Sequence, residues 1–188
     1  DATNQYINIT DPPNPPKNLT LVGRGLTWNT YYNASSGNYT LEAYQGPVNY
    51  PEDNGSWAPI NTTLTQLTSN HPAYNYGYRT GNNRGLFGVY FKPDVQNDWP
   101  VAFAYNRSEN PTIHVIRSKL LGVGYMDPAS NWSYQYLQNI QSSQGQTTGN
   151  SITYKDVFTG TDVTWRYGNT GLKEEITLNN ATKTMVQS

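Results

Sequence analysis

Cysteine is absent from all 188 residues. That gap removes disulfide staples, thiolate metal sites and cysteine nucleophiles together. Charge is scarce too: Asp, Glu, Lys and Arg make up 13% of the chain, about half the usual share. With a net charge of -1 and no basic cluster, there is no electrostatic footing for nucleic acid. No run of about 18 apolar residues occurs, so no membrane span is expected. No signal peptide is visible, and Asp1 reads as a processed end. Histidine occurs only at His71 and His114. His114 lies in the apolar stretch PTIHVIR and reads as a strand residue. His71 precedes Pro72 in a loop without another Cys or His nearby, so no metal site is expected. The strings GxSxG, HExxH and the P-loop are missing, and no catalytic set stands out; the chain reads as a non-enzyme.

What is present is aromatic and polar. There are 16 tyrosines and five tryptophans in a background of Asn, Thr, Gln and Ser. Aromatic and β-branched residues alternate in short runs, the pattern of half-buried strands. Residues 18–28, 38–44, 57–68, 86–91, 99–105, 112–118, 120–126, 132–140, 152–158, 162–167 and 172–178 carry it. Val101, Phe103 and Tyr105 share one face; so do Val163, Trp165 and Tyr167. Residues 29–37 and 46–55 read as loops, and residues 141–150 (QSSQGQTTGN) as a flexible exposed stretch. Residues 69–85 show no period, and residues 137–144 offer only a weak helical pattern. About ten short strands with frequent turn signals predict an all-β fold, a single β-sandwich of immunoglobulin-like or jelly-roll-like type spanning residues 18–188.

The first 17 residues stand apart. Tyr6, Ile7, Asn8, Ile9 and Thr10 (YINIT) have strand composition. Pro12, Pro13, Pro15 and Pro16 follow at once; they cannot donate to a ladder and favour a stiff, extended path. A strand on such a spacer cannot easily hairpin onto the next one. It either crosses its own domain as an edge strand or pairs with another molecule, and the expectation is that residues 1–17 are an extended donor strand and its hinge, pairing with a neighbouring copy.

Nine asparagines occupy N-x-S/T with x not Pro: Asn8, Asn18, Asn33, Asn38, Asn54, Asn61, Asn106, Asn131 and Asn180. Roughly four would arise by chance in so much Asn, Ser and Thr. Covalent N-glycans are expected, and with them an extracellular location; no other cofactor is. A fold with few ionised carboxylates also has little pairing energy to lose in acid, so tolerance of acid is expected. The parity of a strand then fixes the donor: if Asn8 carries a glycan, Tyr6, Asn8 and Thr10 face outward while Ile7 and Ile9 face the acceptor.

Two resemblances attach to these residues. ITYKDVFTGTDVTWRYGNTGLKEEITL, residues 152–178, resembles a strand-turn-strand motif recurring in large secreted and surface proteins of prokaryotes. The short N-terminal strand, Pro hinge, single glycosylated sandwich and missing cysteine resemble subunits of archaeal threads and related donor-strand pili. That likeness implies a head-to-tail homopolymer on the cell surface, serving adhesion or biofilm.

Other groups deserve a place in the reading. Tyr74, Tyr76 and Tyr78 with Asn75, Asn82 and Asn83 could form an aromatic-and-amide platform for surface glycans, as in an adhesin domain of a larger protein. Asp94 with Asn97 and Asp98, or Glu52 with Asp53, could offer oxygen ligands to Ca²⁺, though neither has EF-hand spacing. Asp156 with Asp162, and Glu174 with Glu175, read as a solvated sheet face.

Overall fold

The computed structural model describes residues 18–105, 114–130 and 133–179. It is all-β, with antiparallel pairing throughout. A three-stranded sheet comes first, β1 (Thr20–Gly25), β2 (Trp28–Asn33) and β3 (Asn38–Ala43), then a hairpin of β4 (Asn49–Pro51) and β5 (Trp57–Pro59). A five-stranded sheet follows: β6 (Thr65–Gln66), β7 (Thr80–Asn82), β8 (Gly88–Phe91), β9 (Val101–Tyr105) and β10 (His114–Ser118), side by side in chain order. The hairpin of β11 (Gly122–Asp127) and β12 (Ser133–Asn139) leads into a four-stranded meander, β13 (Gly145–Thr148), β14 (Ser151–Phe158), β15 (Thr161–Gly168) and β16 (Gly171–Leu178).

The meander and the five-stranded sheet face each other across the core. Alternation decides which side chains enter it. Val89, Phe91 and Val101 come from one sheet; Ile152, Tyr154, Val163, Trp165 and Tyr167 come from the other, all buried. Each such side chain contributes about 1.5–3 kcal/mol of apolar burial. The two tyrosines must also satisfy their phenols. Tyr154 donates to the Lys92 carbonyl at 2.5 Å, and Tyr167 to the Phe87 carbonyl at 2.8 Å. Both bonds run from meander to opposite sheet, so the polar tips also fix how the layers sit. Tyr154 meets Trp165 edge-on at 5.5 Å.

Several loop readings are corrected. Residues 29–33 of the expected loop belong to β2, because its inward residues are Asn29 and Tyr31 and their polarity hides the strand. Asn49 resolves that burial: its Nδ2 donates to the carbonyls of Gly25 and Trp28 and to Asn29 Oδ1 at 2.8, 3.2 and 2.9 Å. Asn49 itself sits in β4, inside the second stretch read as a loop. Residues 145–148 form β13 through pairing with β14, although every one of these side chains is polar or absent. The weak helical pattern at 137–144 is strand and coil. Residues 1–17, and with them Tyr6, Ile7, Asn8, Ile9 and Thr10, lie outside the described residues.

Candidate functional site: an open sandwich margin and an outer-face cleft

The sandwich is shut along one margin. Leu64 N–H bonds the Gly149 carbonyl at 2.8 Å, which ties the chain entering β6 to the β13–β14 turn. Gly145 N–H reaches the Pro93 carbonyl at 2.8 Å and Val95 N–H the Ser143 carbonyl at 3.1 Å. Asp94 closes the same seam: its carboxylate accepts from Ser142 Oγ, from Gln144 Nε2 at 3.0 Å, and from the backbone N–H of Gln96 and Ser143. Burial alone would raise the Asp94 carboxyl, but these four donors hold it below the usual carboxylate value.

Sheet order leaves β10 as the far edge of the five-stranded sheet and β16 as the far edge of the meander. Cross-strand register puts Ile116 beside Phe103 and on its face, the face that packs on the core. Likewise Ile176 lies beside Val163, and Leu178 beside Thr161, on the buried face of β15. Yet Ile116 is 73% exposed, Ile176 59% and Leu178 53%. Inward-facing aliphatic residues on both edge strands are thus exposed. Glu174 belongs to the same strip, opposite Trp165, rather than to a solvated face shared with Glu175. Partial desolvation pushes its carboxyl up. Glu175 points to the other side, where Lys173 approaches at 2.9 Å and Arg166 at 3.5 Å.

The outer face of the five-stranded sheet carries a second feature. Tyr90 lies flat there because Gly81 faces it across β7 and Gly88 stands two residues before it on its own strand. A Cβ on Gly81 would stand 2.6 Å from Tyr90 Cδ1, and one on Gly88 2.7 Å from the Tyr90 hydroxyl. Ala102 and Ala104 of β9 keep the floor low. The result is a pair of adjoining cavities of about 380 and 220 Å³ that share Asn83, Tyr90 and Ala104. Tyr50, Glu52, Asp53 and Asn54 wall the larger one; His71, Tyr76 and Tyr78 wall the smaller. The wall at His71 is a 3-10 turn, Pro72–Tyr76. His71 caps it, accepting from Ala73 N–H at 3.1 Å, and Gly77 ends it in the left-handed region at φ 87°. Burial lowers the His71 imidazole pKa and raises the Tyr90 phenol.

Of the six residues expected to form a sugar platform, Tyr76, Tyr78 and Asn83 meet at this cleft. Tyr74 instead packs under the Arg79 guanidinium at 3.8 Å, and Asn75 is exposed on the turn. Asn82 is buried and donates to the Thr63 carbonyl. Tyr90 was not visible as a candidate; the signal is the run of Gly and Ala at outward positions between core residues. The calcium candidates do not converge. Asp94 belongs to the seam, Asp98 pairs with Lys119 at 2.7 Å, and Glu52 and Asp53 sit on the β4–β5 turn. Among the described residues no group of three potential metal ligands exists. Nor is any described helix long and apolar enough to cross a membrane.

Five sequons fall within the described residues: Asn18, Asn33, Asn38, Asn54 and Asn61; Asn8, Asn106, Asn131 and Asn180 lie outside them. None of the five is buried, and each sits at a turn, a loop or a strand end. Asn33, Asn54 and Asn61 accept the N–H of their own Ser35, Ser56 and Thr63 through Oδ1 at 2.8–2.9 Å. Among the described residues Nδ2, the atom a transferase modifies, makes no hydrogen bond at these three positions. Five asparagines outside sequons, Asn29, Asn49, Asn82, Asn150 and Asn169, donate through Nδ2, and Asn82 also accepts the Arg84 N–H through Oδ1.

Comparison with protein-family models, with curated proteins and with solved structures finds no match.

Proposed function

We propose that this chain is the structural subunit of an extracellular filament that polymerises head-to-tail. Residues 6–10 of one copy add a strand at the open margin of the next, and glycans on the sequons coat the outside. The reading rests on one observation: the edge strands β10 and β16 both carry core-facing aliphatic side chains in the open. Unpaired edges of that kind invite strand addition. The donor offers alternate Ile7 and Ile9 to the strip of Ile116, Ile176 and Leu178. Burying those two isoleucines is worth about 3–6 kcal/mol. The backbone ladder supplies the remainder. A donor on one end and an acceptor on the other make a heterologous contact, which propagates and does not close into a dimer. The free Nδ2 atoms at Asn33, Asn54 and Asn61 support the glycan coat, and a coat supports a surface location.

Deletion of residues 1–10 tests the donor role. Electron microscopy is expected to show monomers where the full chain forms fibres. Fibres of unchanged length and number from the truncated chain would reject it.

A further inference from the structure

The outer-face cleft plays no part in strand exchange, since it lies on the opposite side of the five-stranded sheet from the core. We propose that this cleft binds a neutral saccharide, one pyranose ring stacking on Tyr90 and its hydroxyls bonding to Asn83 and Asp53. The larger cavity, about 380 Å³, falls in the range of small-ligand sites. Its floor is an aromatic ring laid flat between two glycines, with low alanines beside it. A pyranose has one face of C–H groups that suits such a ring, and an edge of hydroxyls that needs both donors and acceptors. Asn83 supplies both from an exposed side chain that makes no hydrogen bond among the described residues. Asp53 adds an acceptor that is equally unengaged.

The charge of the lining narrows the class further. Among the described residues no Lys or Arg lines either cavity, and Glu52 and Asp53 stand on the rim. Phosphate, sulfate and uronate would meet carboxylates without a counter-charge. A wholly apolar ligand would leave Asn83, Asp53 and the phenols unpaired. Tyr76, 66% exposed on the far wall, extends the aromatic surface enough for a second ring. The cleft also adjoins the sequon residue Asn54, so a saccharide source stands at its edge: the glycan proposed for Asn54 of the same copy. An external glucan is the other source.

The test is titration of the unglycosylated full chain carrying Ile116→Thr, which keeps it from forming fibres, followed by amide NMR, with N,N′-diacetylchitobiose and separately with cellotriose. Saturable shifts clustered at the Asn83 side-chain amide, Tyr90 and Asp53 are expected, and Asn83→Ala or Tyr76→Ala should weaken binding at least fivefold. Preference for the acetamido sugar assigns the site to glycans of this type, and preference for cellotriose to an external glucan; either supports the proposal. A Pro-rich peptide, DPPNPPKN, serves as the competing occupant. Shifts at the cleft with that peptide but neither sugar, shifts scattered over the surface, or sugar binding unaltered by both substitutions would overturn it.

Discussion

The two margins of the sandwich are built from the same kind of strand and end differently. Along β13 three backbone bonds and the Asp94 carboxylate stitch the meander to the chain entering β6 and to the β8–β9 connection, and Val95 beneath them is completely buried. Along the edge strands β10 and β16 no backbone hydrogen bond among the described residues joins the edges, and Ile116, Ile176 and Leu178 face inward yet are exposed. A sandwich designed to stand alone would place polar residues at inward positions it could not cover, or blunt the edge with Lys or Pro. Aliphatic residues there make sense when another strand arrives. The contrast teaches that exposure is informative only together with register: Ile116 counts because it shares a face with Phe103, not because it is open to water.

Substitutions can break or sharpen that contrast. The largest effect belongs to the interior that both margins enclose. Tyr154→Ala should cost about 3–5 kcal/mol, read by urea unfolding, since it empties a buried ring and orphans the Lys92 carbonyl. Next comes the stitched margin: Asp94→Ala should cost about 1–2 kcal/mol, because four donors lose an anionic partner in a seam partly open to water. At the open margin, Ile116→Thr should change the stability of the monomer by no more than about 0.5 kcal/mol. The same change should shorten or abolish fibres seen by microscopy. Equal destabilisation by Asp94→Ala and Ile116→Thr would erase the difference between the margins.

Acid should act on the margins with opposite sign, and weakly. An acid held below its unfolded pKa stabilises the fold above that value, about 4, and loses the contribution as pH falls through the folded pKa. Asp94 behaves so, and the closed seam loosens at low pH. Glu174 is held above its unfolded value, so its charge opposes folding at neutral pH and that penalty fades as acidification protonates it. With few ion pairs to lose, the melting midpoint should fall gently between pH 7 and pH 3. Glu174→Gln should raise it at neutral pH and leave it unaltered at pH 3. A steep fall would contradict the expected acid tolerance.

How much of this could be read beforehand depends on where polarity sits. The meander from β14 to β16 was legible almost residue by residue, because Ile152, Tyr154, Val163, Trp165 and Tyr167 alternate between glycine turns. Strand β2 was not, because a network centred on Asn49 lets it bury Asn29. Strand β13 was not, because nothing in its own side chains marks a strand; the hairpin turn at Gly149 and the partner β14 impose it. The exposed inward side chains of β10 and β16 were not legible, because the face on which Ile116, Ile176 and Leu178 lie follows from register, which no local pattern encodes. The cleft was half legible: its tyrosines and Asn83 stood out, but its floor is made of small residues, which announce themselves only when a neighbouring ring lies down across them.

An image of the native assembly at side-chain detail bears most directly on the borrowed strand. It should show residues 6–10 of one copy laid along β10 or β16 of the next, with Ile7 and Ile9 against Ile116, Ile176 and Leu178, and Tyr6, Asn8 and Thr10 turned outward. Those same residues lying within their own sandwich, or particles that never exceed a single copy, would contradict it.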